Sequence, residues 1–310
     1  MNRNVISAEL IVFVMLVLIV GFARAQYIIQ QEEYKIPVNY DLLPEGKEFD
    51  NATDEAKYFL SIPEEKLKAA APETEPEEMV KSTMYIEGDN FAMDTESKET
   101  GKATIVSDYK TGKFYYILWP QKKVMVMSAS DMTEMQQKSQ TAADEMMKNL
   151  SPEMRKQIEQ GMQQESTAAP KPVVKATGKK MQKYGFNCEE YMVTTGEEVK
   201  VIWATGDISG LAEKVEDFSS KMNRLFPSED EEEADEWQLV PGKIPVEVRT
   251  FETDMMSNPV INVQAVTKIE KKEPPADKFK IPGKAEGFSQ GSMNDMMKEM
   301  MNIMQQGDQD

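Results

Sequence analysis

The chain contains no histidine and only one cysteine among its 310 residues. The missing histidine removes the side chain that most often serves as general base and zinc ligand, which argues against zinc enzymes and most hydrolases. A single cysteine cannot form a disulfide within the chain, so Cys188 is either free or joined to a second chain. No glycine-rich phosphate loop and no serine-centred nucleophile elbow occurs. We therefore expect a protein that is not an enzyme and that carries no cofactor.

Basic residues are also scarce. The chain has 36 lysines and arginines against 54 aspartates and glutamates, a net charge of −18. This charge opposes binding to nucleic acid and to anionic lipid headgroups. The acidic run Ser228–Glu236 lacks the alternating spacing and the central glycine of a calcium loop, so we interpret it as a solvated loop.

Long apolar runs are absent except at the N-terminus, where Leu10–Phe22 is unbroken. A basic start at Arg3 precedes this run, and Ala23–Ala25 supplies the small residues of a cleavage site, which is typical of a signal peptide. The run has about 13 residues, whereas a membrane-spanning helix needs roughly 20. The sequence therefore predicts export to the periplasm or the cell exterior. After cleavage we expect no membrane-spanning segment.

Short strands are the main pattern from residue 84 to residue 128. Apolar and polar residues alternate through 114–128, as in half-buried strands. Residues that favour tight turns separate the strands, at Glu87–Asn90, Lys110–Lys113 and Trp119–Lys122. Later strands are predicted at Lys183–Thr195, Glu198–Ala204, Ile244–Phe251 and Val260–Ile269. In the first of these, Phe186, Cys188 and Glu190 share one face, whereas the neighbours Glu189 and Glu190 face opposite sides and cannot flank one substrate bond.

Apolar residues at three- and four-residue steps predict helices between and after these strands. The helix after residue 128 has the apolar face Met132, Met135, Ser139, Ala142, Met146 and Leu150. A second helix is predicted over 211–225. The C-terminal helix has the apolar face Met293, Met296, Met297, Met300, Met301 and Met304.

The N-terminal part is less regular. It predicts a strand at Tyr27–Ile29, a short helix at Asp54–Leu60 and a linker rich in proline and glutamate at Ala69–Glu78. We divide the chain into a signal peptide (1–25), an N-terminal strand and helix segment with its linker (26–78), a sheet domain with inserted methionine-rich helices (79–288) and a methionine-rich C-terminal helix (289–310).

Six sequence blocks occur in a characteristic order: Thr83–Asp94, Ile105–Met127, Lys183–Val193, Ile202–Ile208, Gly242–Val248 and Lys268–Phe288. In this order they resemble a family of exported bacterial proteins known only as domain of unknown function number 4412. The resemblance implies an α+β fold similar to the LolA/LolB-type lipoprotein carriers. That fold is an antiparallel β-sheet curled into an open half-barrel, with amphipathic helices covering the concave face. The resemblance implies no catalytic residues.

Methionine is abundant, with 24 residues. Its flexible, polarizable side chain repacks around partners of different shape. We therefore expect the predicted helices to hold a hydrophobic ligand, such as a lipid, a lipidated protein or an apolar peptide, through these residues: Met132, Met135, Met146, Met293, Met297, Met300 and Met304.

Two alternatives remain open. The helices could fill their own core in a structural or interaction protein of the envelope, with the C-terminal helix docking a partner or a second copy. Thioethers also suit Cu(I), although copper carriers usually add histidine or a cysteine pair. The oligomeric state is not predicted.

Overall fold

The structure is a computed structural model. It describes residues 26–71, 79–98, 101–108, 111–128, 130–131, 134, 141, 154, 170–208, 210–216, 220, 239–253 and 259–292. The predicted signal peptide, the core of the linker, the acidic run and the C-terminal helix from Met293 onward lie outside the described residues, as does nearly all of the helix predicted after residue 128.

The described residues form one large, curled and mostly antiparallel β-sheet that does not close. Its strands are β1 (Gln26–Pro37), β2 (Val80–Glu87), β3 (Asn90–Ser97), β4 (Gly101–Asp108), β5 (Lys113–Leu118), β6 (Lys123–Ser128), β7 (Val173–Lys183), β8 (Phe186–Thr195), β9 (Glu198–Thr205), β10 (Ile244–Glu252), β11 (Val260–Glu270) and β12 (Ser289–Ser292). They lie in the order β12-β6-β5-β4-β3-β2-β1-β11-β10-β9-β8-β7. Only the pairing of β12 with β6 is parallel among these strands.

Two short helices cover part of one face, which we call the helical face. Helix α1 (Ala52–Ser61) begins at Asn51, whose side chain accepts a hydrogen bond from the backbone N–H of Asp54 and caps the first turn. Helix α2 (Glu64–Ala70) follows Pro63. Phe59 of α1 is fully buried and stacks on Phe251 of β10 with 5.8 Å between ring centroids. This contact fixes α1 over the half of the sheet that contains β9 and β10.

A second cover lies on the same face at the other half of the sheet. Residues 276–288 place Phe279, Ile281 and Phe288 over strands β1 to β6. Among the described residues, no helix is long and apolar enough to cross a membrane.

The predicted hairpins are confirmed. Glu87 pairs with Asn90, Asp108 with Lys113, and Leu118 with Lys123, so all three predicted turns join antiparallel neighbours. The strands predicted at Lys183–Thr195 and Glu198–Ala204 are present as the antiparallel pair β8 and β9, and the closing strands β10 and β11 are also present. Three elements were missed: β7, where strands were expected to resume only at Lys183, α2, and β12. Strand β12 occupies the first residues of the range that was predicted to be the C-terminal helix. Strand β1 is longer than predicted and lies between β2 and β11. The division of the chain at residues 78 and 288 stays a prediction.

Candidate functional site

The sheet face opposite α1 carries a largely apolar surface from β1 to β6, interrupted at Ser107. The strand register aligns two rows of side chains across these six strands. One row is Tyr27, Ile86, Phe91, Ser107, Phe114 and Met127, and the other is Ile29, Met84, Met93, Ile105, Tyr116 and Met125. We call these two rows the methionine face. With neighbouring strands about 4.8 Å apart, it extends roughly 24 Å across the sheet.

The two ends of the methionine face differ in what contacts them. Residues 208 and 210–216 pack on the β1–β3 end, where the fully buried Leu211 joins Tyr27, Ile29 and Phe91 in one cluster. At the β4–β6 end, Ile105, Tyr116 and Met127 are half-buried, whereas Phe114 and Met125 are buried. This end therefore combines a buried apolar floor with partly accessible apolar side chains.

The residues predicted to bind a ligand lie elsewhere in the chain. Met132, Met135, Met146, Met293, Met297, Met300 and Met304 are all outside the described residues, so their role stays a prediction. The sequence analysis missed the methionines that the sheet brings together on one face: Met84, Met93, Met125 and Met127. The turn at Glu87–Asn90 was a usable signal, because counting back from it places Met84 opposite Met93.

The helical face is polar between its two covers. A cleft of about 370 Å³ lies there, lined by polar and charged residues of β1 to β4 together with Thr267. Its floor includes a row in which opposite charges alternate across four strands: Glu32, Lys81, Glu96 and Lys102. Opposite charges on directly opposed residues stabilise a sheet. This cleft does not resemble a pocket for an apolar ligand.

A buried ion network joins α2 to the sheet. Glu247 of β10 is 1 % exposed and accepts hydrogen bonds from Lys183 at 2.5 Å and from Arg249 at 2.7 Å. Arg249 also donates to Glu64 of α2 at 3.0 Å, and the Tyr34 hydroxyl donates to the same carboxylate at 2.6 Å.

The network shifts the ionisation of two of its members. Burial alone would raise the pKa of Glu64, but hydrogen bonds from Lys68 and Tyr34, with the charge of Arg249, lower it overall. Burial and the hydrogen bond to Glu64 raise the pKa of Tyr34 well above its usual range. Each charge in the network has an opposite partner, which is the arrangement that burial demands.

A second network secures the other cover. Lys278 donates to Asp94 at 2.7 Å, and Thr104 donates to the same carboxylate at 2.6 Å. Thr104 accepts in turn from the Trp119 ring N–H at 2.8 Å, and Trp119 packs edge-on against Phe288. These contacts connect residues 276–288 to β3, β4 and the turn after β5.

Cys188 is buried and forms no disulfide within the described chain. Its side chain shares a face with Phe186 in the core beneath α1. Burial raises the pKa of the Cys188 thiol to about 11, so the reactive thiolate is disfavoured at neutral pH. The thiol borders a cleft of about 450 Å³ whose lining includes Lys180, Asp207 and Lys243.

The neighbouring carboxylates of β8 do not form a catalytic pair. Glu189 interacts with Lys180 and Lys243, whereas Glu190 pairs with Lys179, and the two point to opposite faces. Hydrogen bonds from Lys180 and Lys243 lower the pKa of Glu189 to about 2. Within the described part of the chain, no group of three or more cysteine, aspartate or glutamate side chains could hold a metal ion.

Comparison with known proteins does not place the chain in a family. No family model and no curated protein matches it. The solved structure of PNGF-II aligns with 89 % of this chain and 33 % of its own, at 7 % identity and a TM-score of 0.26. A DUF1329 family protein from Desulfovibrio piger aligns over 86 % of this chain and 93 % of its own, at 9 % identity and a TM-score of 0.25.

These likenesses are too low to support any argument. The chain spans about a third of the length of PNGF-II. The resemblance to domain of unknown function number 4412 and to the LolA/LolB-type carriers stays a prediction.

Proposed function

We propose that this chain is an exported, non-enzymatic protein that binds a hydrophobic ligand, such as a lipid or a lipidated protein, on the methionine face. The observation that carries the proposal is the β4–β6 end of this face. There, Ile105, Tyr116 and Met127 are half-buried beside a buried floor of Phe114 and Met125. The ligand would extend this packing across the partly accessible side chains.

The chain connectivity supports the same location. Strands β6 and β12 are parallel neighbours, so their C-terminal ends lie side by side. The methionine-rich sequences that begin at Met132 and Met293 follow these two strand ends directly. We propose that they form the amphipathic helices of a LolA-like half-barrel and cover the ligand on the concave face.

A ligand can replace part of a helical cover at little cost in free energy. Burial of apolar surface stabilises by about 25 cal/mol per Å². A ligand that replaces part of a cover restores most of that burial, and unbranched methionine side chains adapt to both arrangements. Binding then depends on the apolar surface of the sheet and not on a polar anchor.

Two adjacent tyrosines provide a matched test. Tyr116 lies on the methionine face, whereas Tyr115 lies on the opposite face with the cluster beneath Phe288, and both are half-buried. Titration with the neutral fluorescent probe N-phenylnaphthylamine should saturate for the wild type. We expect Tyr116→Ser to weaken probe binding about tenfold, the loss of a good part of one buried aromatic side chain, and Tyr115→Ser to leave it unchanged. Equal weakening by both variants, or no saturable binding at all, would refute the proposal.

One observation favours the structural or interaction protein as a second candidate. Phe114 and Met125 are each 2 % exposed, so part of the methionine face is already filled. Removal of residues 293–310 separates the two functions. A rise in probe binding supports a cover over a ligand site, whereas loss of a partner complex with unchanged probe binding supports the interaction protein.

A further inference from the structure

Strand β7 forms the free edge of the sheet and is unusually accessible. Ten of its eleven residues are exposed, including the apolar side chains of Val173, Val174 and Met181. The strand at the opposite edge, β12, has only four residues, and two of them are half-buried. A long exposed edge strand presents unpaired backbone N–H and C=O groups to any chain that can add to it.

The charge of β7 is opposite to that of the whole protein. Residues 171–183 contain five lysines and no acidic residue, in a chain whose net charge is −18. Lys183 is committed to the buried Glu247. Lys179 and Lys180 pair with β8 glutamates, but their side chains stay 61 % and 73 % exposed, and such surface pairs exchange partners at little cost. Among the described residues, neither Lys171 nor Lys175 has an acidic partner.

The same features determine which strands can pair here. The register with β8 shifts between Ala176 and Lys180, so β7 contains an irregularity that limits regular pairing to short runs. Lysines on an edge disfavour pairing with apolar strands, which would desolvate their charges, and repel other lysine-bearing strands, including β7 of a second copy. The lysines of β7 instead attract an acidic strand. The charge of this edge therefore favours pairing with acidic strands over other strands.

We propose that β7 binds an extended, acidic polypeptide segment of a partner protein, which adds to the sheet as a further antiparallel or parallel strand beside residues 173–176. Val173 and Val174 point to opposite faces, so an added strand packs against one of them on each side. Lys171 and Lys175 lie at the two ends of this run, where glutamates of the partner can pair with them. Main-chain hydrogen bonds supply affinity, and the lysines supply selectivity.

Fluorescence anisotropy with labelled seven-residue peptides tests the proposal. The first peptide has alternating valine and threonine at its centre and two glutamates at each end. The second has the same charges with alternate backbone nitrogens methylated, and the third has lysines in place of the glutamates. We expect the first peptide to bind at least tenfold more tightly than either control, because only it offers both backbone donors and complementary charge.

Variants of the full-length protein complete the test. Lys171→Glu together with Lys175→Glu should weaken binding of the first peptide about tenfold at low salt. Lys66→Glu together with Lys271→Glu makes the same charge change at exposed sites away from β7 and should have little effect. Equal binding of the methylated peptide would overturn the proposal, because it would mean simple charge attraction. Self-association of the protein that Lys175→Glu abolishes would overturn it in favour of a second copy.

Discussion

The two covers on the helical face are attached in different ways. Helices α1 and α2 lie over the larger core cluster, which includes Phe59, Phe251 and Trp203. Their charged contact to the sheet, Arg249 with Glu64, keeps 7 % and 14 % side-chain exposure. Residues 276–288 lie over a smaller cluster around Phe288, and their charged contact, Lys278 with Asp94, keeps 24 % and 18 % side-chain exposure. The charged contact of α2 is therefore the more deeply buried of the two.

This difference in burial predicts that the two covers differ in how easily they are displaced from the sheet. A buried charge that loses its partner cannot be solvated by water, so the α2 contact is costly to break. The Asp94 contact is more exposed and is easier to exchange. The half that contains β1 to β6 thus has the more weakly held cover on one face and the half-buried methionine face on the other. We infer that this half is the one that adapts to a ligand.

The largest effect is expected for Glu247→Gln. The variant leaves Lys183 without a charged partner in the protein interior, so we expect the free energy of unfolding to fall by about 3–5 kcal/mol. Urea denaturation followed by circular dichroism measures it. Glu252→Gln on the same strand is the control, because its pair with Lys35 is 40–50 % exposed and should cost at most about 1 kcal/mol. A smaller loss of unfolding free energy for Glu247→Gln than for the control would contradict the firmer attachment of the cover formed by α1 and α2.

Asp94→Asn should have a smaller effect, about 1–2 kcal/mol, because its carboxylate keeps some contact with water. Burial raises the pKa of Asp94, but hydrogen bonds from Lys278 and Thr104, with the charges of Lys278 and Lys102, lower it overall. A lowered carboxyl pKa stabilises the fold above the unfolded-state value, near 4, and that contribution is lost as the pH falls through the folded-state value. Wild type should therefore lose more stability than Asp94→Asn between about pH 5 and pH 2. Parallel pH curves for the two proteins would contradict this assignment.

Two glycines test how tightly the β1–β6 half is packed at its turns. Gly101 and Gly242 both have positive φ, at +69° and +73°. A Cβ on Gly101 would lie 2.8 Å from Cγ of Pro120, whereas a Cβ on Gly242 would meet nothing within 4 Å. Each alanine variant carries the backbone penalty of about 1 kcal/mol. Because of the contact with Pro120, Gly101→Ala should lower the free energy of unfolding, measured by urea denaturation, by about 1 kcal/mol more than Gly242→Ala. Equal losses for the two variants would show that the turn at Pro120 shifts to make room.

The smallest effect is expected for Glu189→Gln. Glu189 pairs with two lysines and has a pKa of about 2, but it lies at the surface, where water and salt screen its charge. We expect no measurable change in the urea midpoint at 0.15 M salt. A loss comparable to that of Asp94→Asn would show that surface pairs hold the β7–β8 edge as firmly as the half-buried pair holds its cover.

The hairpins were predictable from the sequence because their turns and their alternation agree. The turn at Glu87–Asn90 lies between two strands with one buried side each, so both local signals indicate the same register. Strand β7 lacked such a signal because it is exposed on both faces and buries no apolar stripe. Helix α2 buries only Leu67 and is held by ions, which leave no apolar periodicity. The middle of β1, Gln30–Glu33, reads as loop because it passes the polar cleft.

The candidate site was only partly accessible to sequence reasoning. An excess of methionine predicted an adaptable apolar surface, but the prediction placed that surface on the helices and not on the sheet. The four methionines of the sheet come from three strands, and only the successive pairing of β2 through β6 brings them onto one face. The buried network of Glu247, Arg249 and Glu64 depends on residues 185 positions apart, which no local pattern connects.

The most direct test of the ligand site is native mass spectrometry after incubation with a bacterial membrane lipid extract and removal of free lipid. The wild-type protein and Tyr115→Ser should each carry an added mass that dissociates as an apolar molecule, and Tyr116→Ser should carry much less. A wild-type spectrum of the bare chain alone, or equal loading of all three proteins, would contradict ligand binding on the methionine face.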